Sequence, residues 1–143
     1  MTPIRVNASF AVAGQLSLAE IADLAAAGYT TLINNRPEGE EPGQPGSQAE
    51  AAAAEAAGLA YRHIPVRAPA ITPADVEAFG EVLDAASGPV LAHCRSGMRS
   101  LTLYALAQVA AGRMDRSAVR DLGAEVGADL SGAIAWLDRH GAP

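Results

Sequence analysis

The chain has 143 residues, half of them hydrophobic, a single cysteine and a formal net charge of −6. That length predicts one domain over residues 1–143, and that hydrophobic fraction supports a packed core and excludes a disordered chain. The acidic balance argues against nucleic acid as a partner, one cysteine excludes an internal disulfide, and no apolar run approaches the roughly 20 residues of a membrane span.

Taken in order, residues 8–13 read as a first strand that ends at Gly14. Ser17, with Glu20 three residues on, forms a capping box for a helix over 18–27. Leu18, Ile21, Ala22 and Leu24 or Ala25 share one face of that helix, which stops at Gly28. The β-branched run 30–34 is the second strand. Residues 35–46 then hold Pro37, Pro42 and Pro45 with Gly39, Gly43 and Gly46, which argues against helix and strand alike. A connection that long is either mobile or part of a site. Its acidic run, Glu38, Glu40 and Glu41, reads most simply as a solvated stretch.

Ser47 is the expected cap of an alanine-rich helix that runs through Ala57 and is ended by Gly58. Residues 59–66 form the third strand, with Pro65 near its end. Thr72 caps the next helix, Pro73 takes its first position and Asp75 supplies the third-position acid. That helix turns Val76, Phe79, Val82 and Leu83 inward and ends near Ser87. A fourth strand over 90–93 precedes a helix over 100–111 that Gly112 stops. A short helix over 116–122 and a last one over 130–139 follow, with Ile134, Trp136 and Leu137 as packing residues and Trp136 as a core anchor. Strands alternating with helices predict an α/β fold, a mostly parallel sheet of four to five strands flanked by helices.

The chemistry concentrates after the fourth strand, in His93-Cys94-Arg95-Ser96-Gly97-Met98-Arg99-Ser100. A tight loop entering a helix converges backbone N–H groups on one point and adds the positive end of the helix dipole, so an anion fits there. A thiol at the base of such a loop is expected to ionise readily and to act as a nucleophile. Arg95, Ser96, Gly97 and Met98 line the expected anion cradle, with Gly97 easing the turn. Arg99 offers an oxyanion a planar two-pronged donor. Ser100 either caps the helix or donates to the sulfur. His93 either orients the loop through a ring hydrogen bond or is satisfied by backbone. Arg36 also follows a strand, so it shares the sheet edge of the Cys94 loop. It either assists anion binding or pairs with Glu38, Glu40 or Glu41. The three histidines have no ligand-like spacing to the cysteine, so neither a metal nor another cofactor is expected.

This order of strand, His, Cys, loop, Arg, Ser and helix resembles the cysteine-dependent phosphatases of the protein tyrosine phosphatase superfamily. The similarity is closer to one bacterial branch, the phosphatase-like domain of beta-lactamase-hydrolase-like proteins. It is carried by Val12-Ala13-Gly14-Gln15, Thr31-Leu32-Ile33-Asn34-Asn35-Arg36-Pro37, His63-Ile64-Pro65-Val66 and the loop from His93 to Ser100. The resemblance implies a protein tyrosine phosphatase-like fold and a thiophosphate formed on Cys94, with Arg99 holding the anion.

Two departures qualify what it implies. The superfamily signature has five residues between Cys and Arg, whereas four separate Cys94 from Arg99. A loop of that length also resembles that of rhodaneses, which carry a sulfur atom on cysteine, and a smaller ring of amides suits a persulfide. Related dual-specificity phosphatases place an aspartic general acid just after the third strand, where this chain has Arg67, Ala68, Pro69 and Ala70. Asp75 is the nearest candidate acid, although helix capping is the better account of its spacing. The expected function is a phosphatase-like hydrolase acting on a small anionic substrate. The alternative is a sulfurtransferase with a Cys94 persulfide, serving a sulfide-oxidation partner enzyme. A non-catalytic anion-binding module is a third reading. The segment before Gln15 lacks the pattern of a signal peptide, so a cytoplasmic protein is expected. An alanine-rich surface helix could support a homodimer.

Overall fold

Four-residue runs, three of them buried on both faces, make the centre of the molecule. In a computed structural model that describes residues 2–67 and 70–141, β1 (Ile4–Asn7), β2 (Phe10–Ala13), β3 (Thr31–Asn34), β4 (Ala60–His63) and β5 (Val90–His93) form one sheet. Its strand order is β1-β2-β5-β3-β4. Only the β1–β2 pair is antiparallel; the other three pairings are parallel. Every residue of β2, β3 and β5 is buried, which is why these strands read as continuous rather than alternating apolar runs.

Helices cover both faces. On one lie α1 (Leu18–Leu24) and α2 (Ser47–Ala56), over Ala11, Ala13, Leu32 and Leu91. On the other lie α3 (Pro73–Ala85), α4 (Met98–Ala110), α5 (Arg116–Val126) and α6 (Ser131–Arg139), over Phe10, Val12, Ile33, Val90 and Ala92. Phe10 stacks on Tyr104 with ring centres 4.1 Å apart and meets Phe79 edge-on at 6.0 Å. Trp136 anchors α6 by donating its indole N–H to the Ile71 carbonyl at 2.8 Å. No helix among the described residues is long and apolar enough to cross a membrane.

Register places the site. Ala13 and Asn34 both pair with His93, and Asn34 pairs with His63. The parallel strands therefore end in line, and the chain that follows each emerges at one edge. Cys94, Asn35 and the Gln15 segment meet there: Asn35 N donates to His93 O, Cys94 N to Ala13 O and Gln15 N to Arg95 O.

Several predicted elements change. The first strand is a hairpin: β1 was missed, Ala8 and Ser9 form the turn, and Asn7 Oδ1 accepts from Ser9 N at 2.8 Å. The first helix ends at Leu24, and Leu18 and Ala22 on its expected inner face are exposed. Ser47 is the first residue of α2 rather than its cap; its hydroxyl contacts Tyr61 Oη at 2.9 Å. β4 ends at His63, yet Ile64 and Val66 still donate backbone bonds to Asn34 and Asn35, which is why the run to Val66 reads as strand. The α4 helix starts at Met98, two residues early, because Gly97 takes the cap position in a left-handed conformation. The capping boxes at Ser17 and Thr72 form as expected.

Candidate active site

The peptide from Cys94 to Gly97 links the central strand β5 to α4. Cys94 is buried, and the Gly97 amide donates to its sulfur at 3.0 Å. Gly97 has φ of 98°, a region open to glycine at little cost, and this turn brings its amide back to Sγ. The first amides of α4 have no intrahelical acceptor, as at any helix start. Arg95 and Ser96 are exposed, Gly97 is buried, and Met98 packs partly against the core.

The guanidinium of Arg99 is held in a fork. Nη1 and Nη2 donate to the two carboxylate oxygens of Glu40 at 2.8 and 2.9 Å, and Nη1 also donates to the Val66 carbonyl at 3.0 Å. Glu40 accepts a third bond, from Arg36 Nε at 2.9 Å. The hydrogen bonds from Arg99, opposed by burial and reinforced by Arg36, hold the Glu40 carboxyl down at about 2. Glu40 in turn raises Arg99, with a smaller contribution from Cys94.

Arg36 is buried rather than exposed. Its Nη1 donates to Gln15 Oε1 at 3.0 Å, and Nη2 lies 2.9 Å from Glu41 Oε1. Of the expected acidic partners it pairs with Glu40 and Glu41, and it does so as a buried rather than a surface arginine. The loop 35–46 belongs to the site, and its acidic run is not simply solvated. Gln44 ties it down by accepting from Glu40 N at 3.0 Å and donating to the Pro37 carbonyl at 2.7 Å.

His93 lies beneath the loop and is fully buried. Its Nε2 is 2.7 Å from Glu50 Oε1 on α2, and its Nδ1 is 3.2 Å from the Cys94 carbonyl oxygen. Gln15 Nε2 donates to the other Glu50 oxygen at 2.9 Å. An unbroken series of contacts thus runs from the Cys94 carbonyl through His93, Glu50, Gln15, Arg36 and Glu40 to Arg99.

Ser100 does not cap the helix, and its single proton goes to Asn35 Oδ1 at 2.8 Å instead of to the sulfur. Asp75 closes the capping box of α3: its carboxylate accepts from Thr72 N at 2.9 Å. It also borders a recess with Pro37, Glu38, His63, Val66 and Arg67. Ala68 and Pro69, two of the positions where a general acid was sought, lie outside the described residues. Among the described residues, no group of three or more His, Cys, Asp or Glu is placed to hold a metal ion.

Sequence reasoning missed Glu40, Glu50, Gln15 and Asn35 as members of the site. Glu50 had a signal, since it lies four residues before Ala54 and so shares the buried face of α2.

A mostly parallel sheet that seats a cysteine in the loop after its central strand and an arginine in the first turn of the following helix defines a phosphatase-like domain of the protein tyrosine phosphatase superfamily. The family model for the phosphatase-like domain of beta-lactamase hydrolase-like protein matches residues 4–111, and the chain belongs to that family. It is 47% identical over 142 residues to the beta-lactamase hydrolase-like protein of Agrobacterium fabrum, a match covering 99% of this chain and 33% of that one. The chain thus spans about a third of the length of the curated relatives it matches. The crystal structure of the nma1982 protein of Neisseria meningitidis Z2491 superposes with a TM-score of 0.80 at 31% identity, over 95% of this chain and 96% of that one. Tk-PTP in its active form shares the fold, with a TM-score of 0.70 at 15% identity over 96% and 94% of the two chains.

Proposed function

We propose that Cys94 is the nucleophile of a phosphatase-like hydrolase acting on small phosphoesters. The observation that carries this reading is the Gly97 amide aimed at Sγ from 3.0 Å at the start of α4. Sγ attacks phosphorus, an S–P bond forms, and the P–O bond to the leaving group breaks with its electron pair. The leaving oxygen takes up a proton from solvent. Water then cleaves the S–P bond, releasing phosphate and returning the thiol. General acid help is worth roughly 10²–10⁴-fold, so esters with good leaving groups, such as aryl phosphates, suit a site whose nearest aspartate is engaged in a helix cap. The single cysteine as a working thiol fits a reducing compartment, and we assign the protein to the cytoplasm.

A second reading is sulfur carriage, favoured by the carboxylate of Glu40 on the Arg99 fork. A carboxylate there opposes a phosphate dianion more than a persulfide, which carries at most one negative charge. Four residues between Cys94 and Arg99 point the same way. In that reaction Sγ attacks the outer sulfur of thiosulfate, sulfite leaves with the electrons of the broken S–S bond, and a thiol or cyanide later removes the carried sulfur.

Intact-mass measurement after thiosulfate, beside phosphate release from an activated aryl phosphate, separates the two, with Cys94→Ser as the control. The expected result is phosphate release that Cys94→Ser abolishes. One added sulfur on Cys94 without phosphate release replaces the first reading with the second. Neither product makes the chain an anion-binding module.

A further inference from the structure

Arg36 is a buried cation with more donors than partners. Its Nε donates to Glu40 Oε1 at 2.9 Å and its Nη1 to Gln15 Oε1 at 3.0 Å. Nη2 has no hydrogen-bond partner among the described residues. Glu41 Oε1 lies 2.9 Å from it, but the N–H bonds of Nη2 are turned off the line to that oxygen, so the contact is an ion pair without a hydrogen bond. An unfilled donor on a buried guanidinium costs free energy and marks a place where a better-aligned acceptor gains. The other oxygen of the same carboxylate, Oε2, is 3.4 Å from Nη2 of Arg95, the residue that follows Cys94. Glu41 thus spans two guanidinium groups beside the cysteine loop, one oxygen toward each. It holds neither tightly: its side chain is 42% exposed and that of Arg95 is 66% exposed. Exposed pairs of this kind are weak.

We propose that Arg36 and Arg95 form a second anion subsite beside Cys94, which the Glu41 carboxylate covers and which a carboxylate on the substrate takes over by displacing it. The proposal rests on the phosphatase reading for the reaction, and it narrows the substrates to phosphoesters whose leaving group carries a carboxylate. A carboxylate is the matching group because the resident one already sets one oxygen toward each arginine and is anionic at neutral pH. A ligand held at its other end by the Cys94 loop lacks the tether that sets the angle of Glu41, so its oxygen can meet Nη2 along an N–H. Uncovering Nη2 takes a rotation of the Glu41 side chain only, because Gln44 ties the loop at Glu40 and Pro37. Turning Glu41 away also removes one negative charge from the site, which favours a substrate with negative charge at both ends.

Calorimetric titration of Cys94→Ser, which keeps the shape of the loop and leaves the probes intact, tests the subsite by binding alone. The probes are meta- and para-carboxyphenyl phosphate, each beside the matching phenyl phosphate with an uncharged carboxamide in place of the carboxylate. At least one carboxylate should bind on the order of tenfold more tightly than its carboxamide, the effect of one added hydrogen bond to a charged group. In the same background Arg95→Gln should cut that preference by about threefold, and Glu41→Gln, which removes the competing carboxylate, should raise it by about as much. Both substitutions fall on exposed side chains, so the fold is kept. Equal binding of carboxylate and carboxamide overturns the proposal. So does a preference that Arg95→Gln leaves unchanged, or one that Glu41→Gln fails to raise. Phosphate release by the unaltered protein is read separately. A carboxylate preference in binding without any turnover counts against the phosphatase reading alone, and turnover without that preference counts against the subsite alone.

Discussion

Glu40 is the residue on which two arginines converge, and its protonation has a readable consequence. Its carboxyl is held at about 2 in the fold, against an ordinary value of 4.5, by Arg99 first and then, against the effect of burial, by Arg36. A carboxyl lowered by folding adds stability that is fully present above its unfolded value and is lost as pH falls through its folded value. The difference in Tm between the unaltered protein and Glu40→Gln should therefore narrow as pH is lowered from about 4.5 towards about 2. A Tm difference constant over that range would assign the effect of Glu40 to packing. Asp75 makes a sharper distinction. Losing a helix cap costs about 1 kcal/mol, so Thr72→Ala and Asp75→Ala should each lower the denaturant midpoint by similar amounts. If Asp75 also donates a proton, Asp75→Ala alone slows phosphate release from esters with poor leaving groups.

At the scale of elements, the site depends on a close backbone approach between the Gly14 turn and the Cys94 loop. A Cβ on Gly14 would sit 2.9 Å from the Arg95 carbonyl oxygen, which is backbone and cannot swing aside. Gly14→Ala should therefore cost roughly 1–3 kcal/mol and displace the Cys94 loop, read as a lower denaturant midpoint together with slower alkylation of Cys94. The strand before this glycine was legible because Phe10-Ala11-Val12-Ala13 is apolar throughout, as a strand buried on both faces must be. β1 was not legible. Ile4-Arg5-Val6-Asn7 alternates over a half-buried edge and is only four residues long, too short for its period to stand out. The caps at Ser17 and Thr72 were legible because a capping box is a contact within four residues. Ser47 was misread because its hydroxyl goes to Tyr61, fourteen residues on, a contact that exists only after α2 has docked beside β4.

The whole molecule is two apolar clusters on either side of one sheet, and the larger is built around α3 and α4. Phe79 lies inside it with no exposed surface, so Phe79→Ala should cost about 3–5 kcal/mol in a denaturant titration. The α/β alternation that predicts this architecture is written locally, in runs of four to thirteen residues. The site is not. Cys94 and Arg99 lie five positions apart and could be picked out, but the bonds around them join residues far apart: Arg99 to Glu40 across 59 positions, Ser100 to Asn35 across 65 and His93 to Glu50 across 43. Those partners are chosen by strand register, which periodicity does not disclose. The in-line strand ends carry one more consequence. Because β5 is flanked by β2 and β3, the cradle around the sole thiol exists only in molecules whose sheet has closed. A stoichiometric count of thiols that show the reactivity proposed for Cys94 is then also a census of correctly folded chains, taken without any engineered probe.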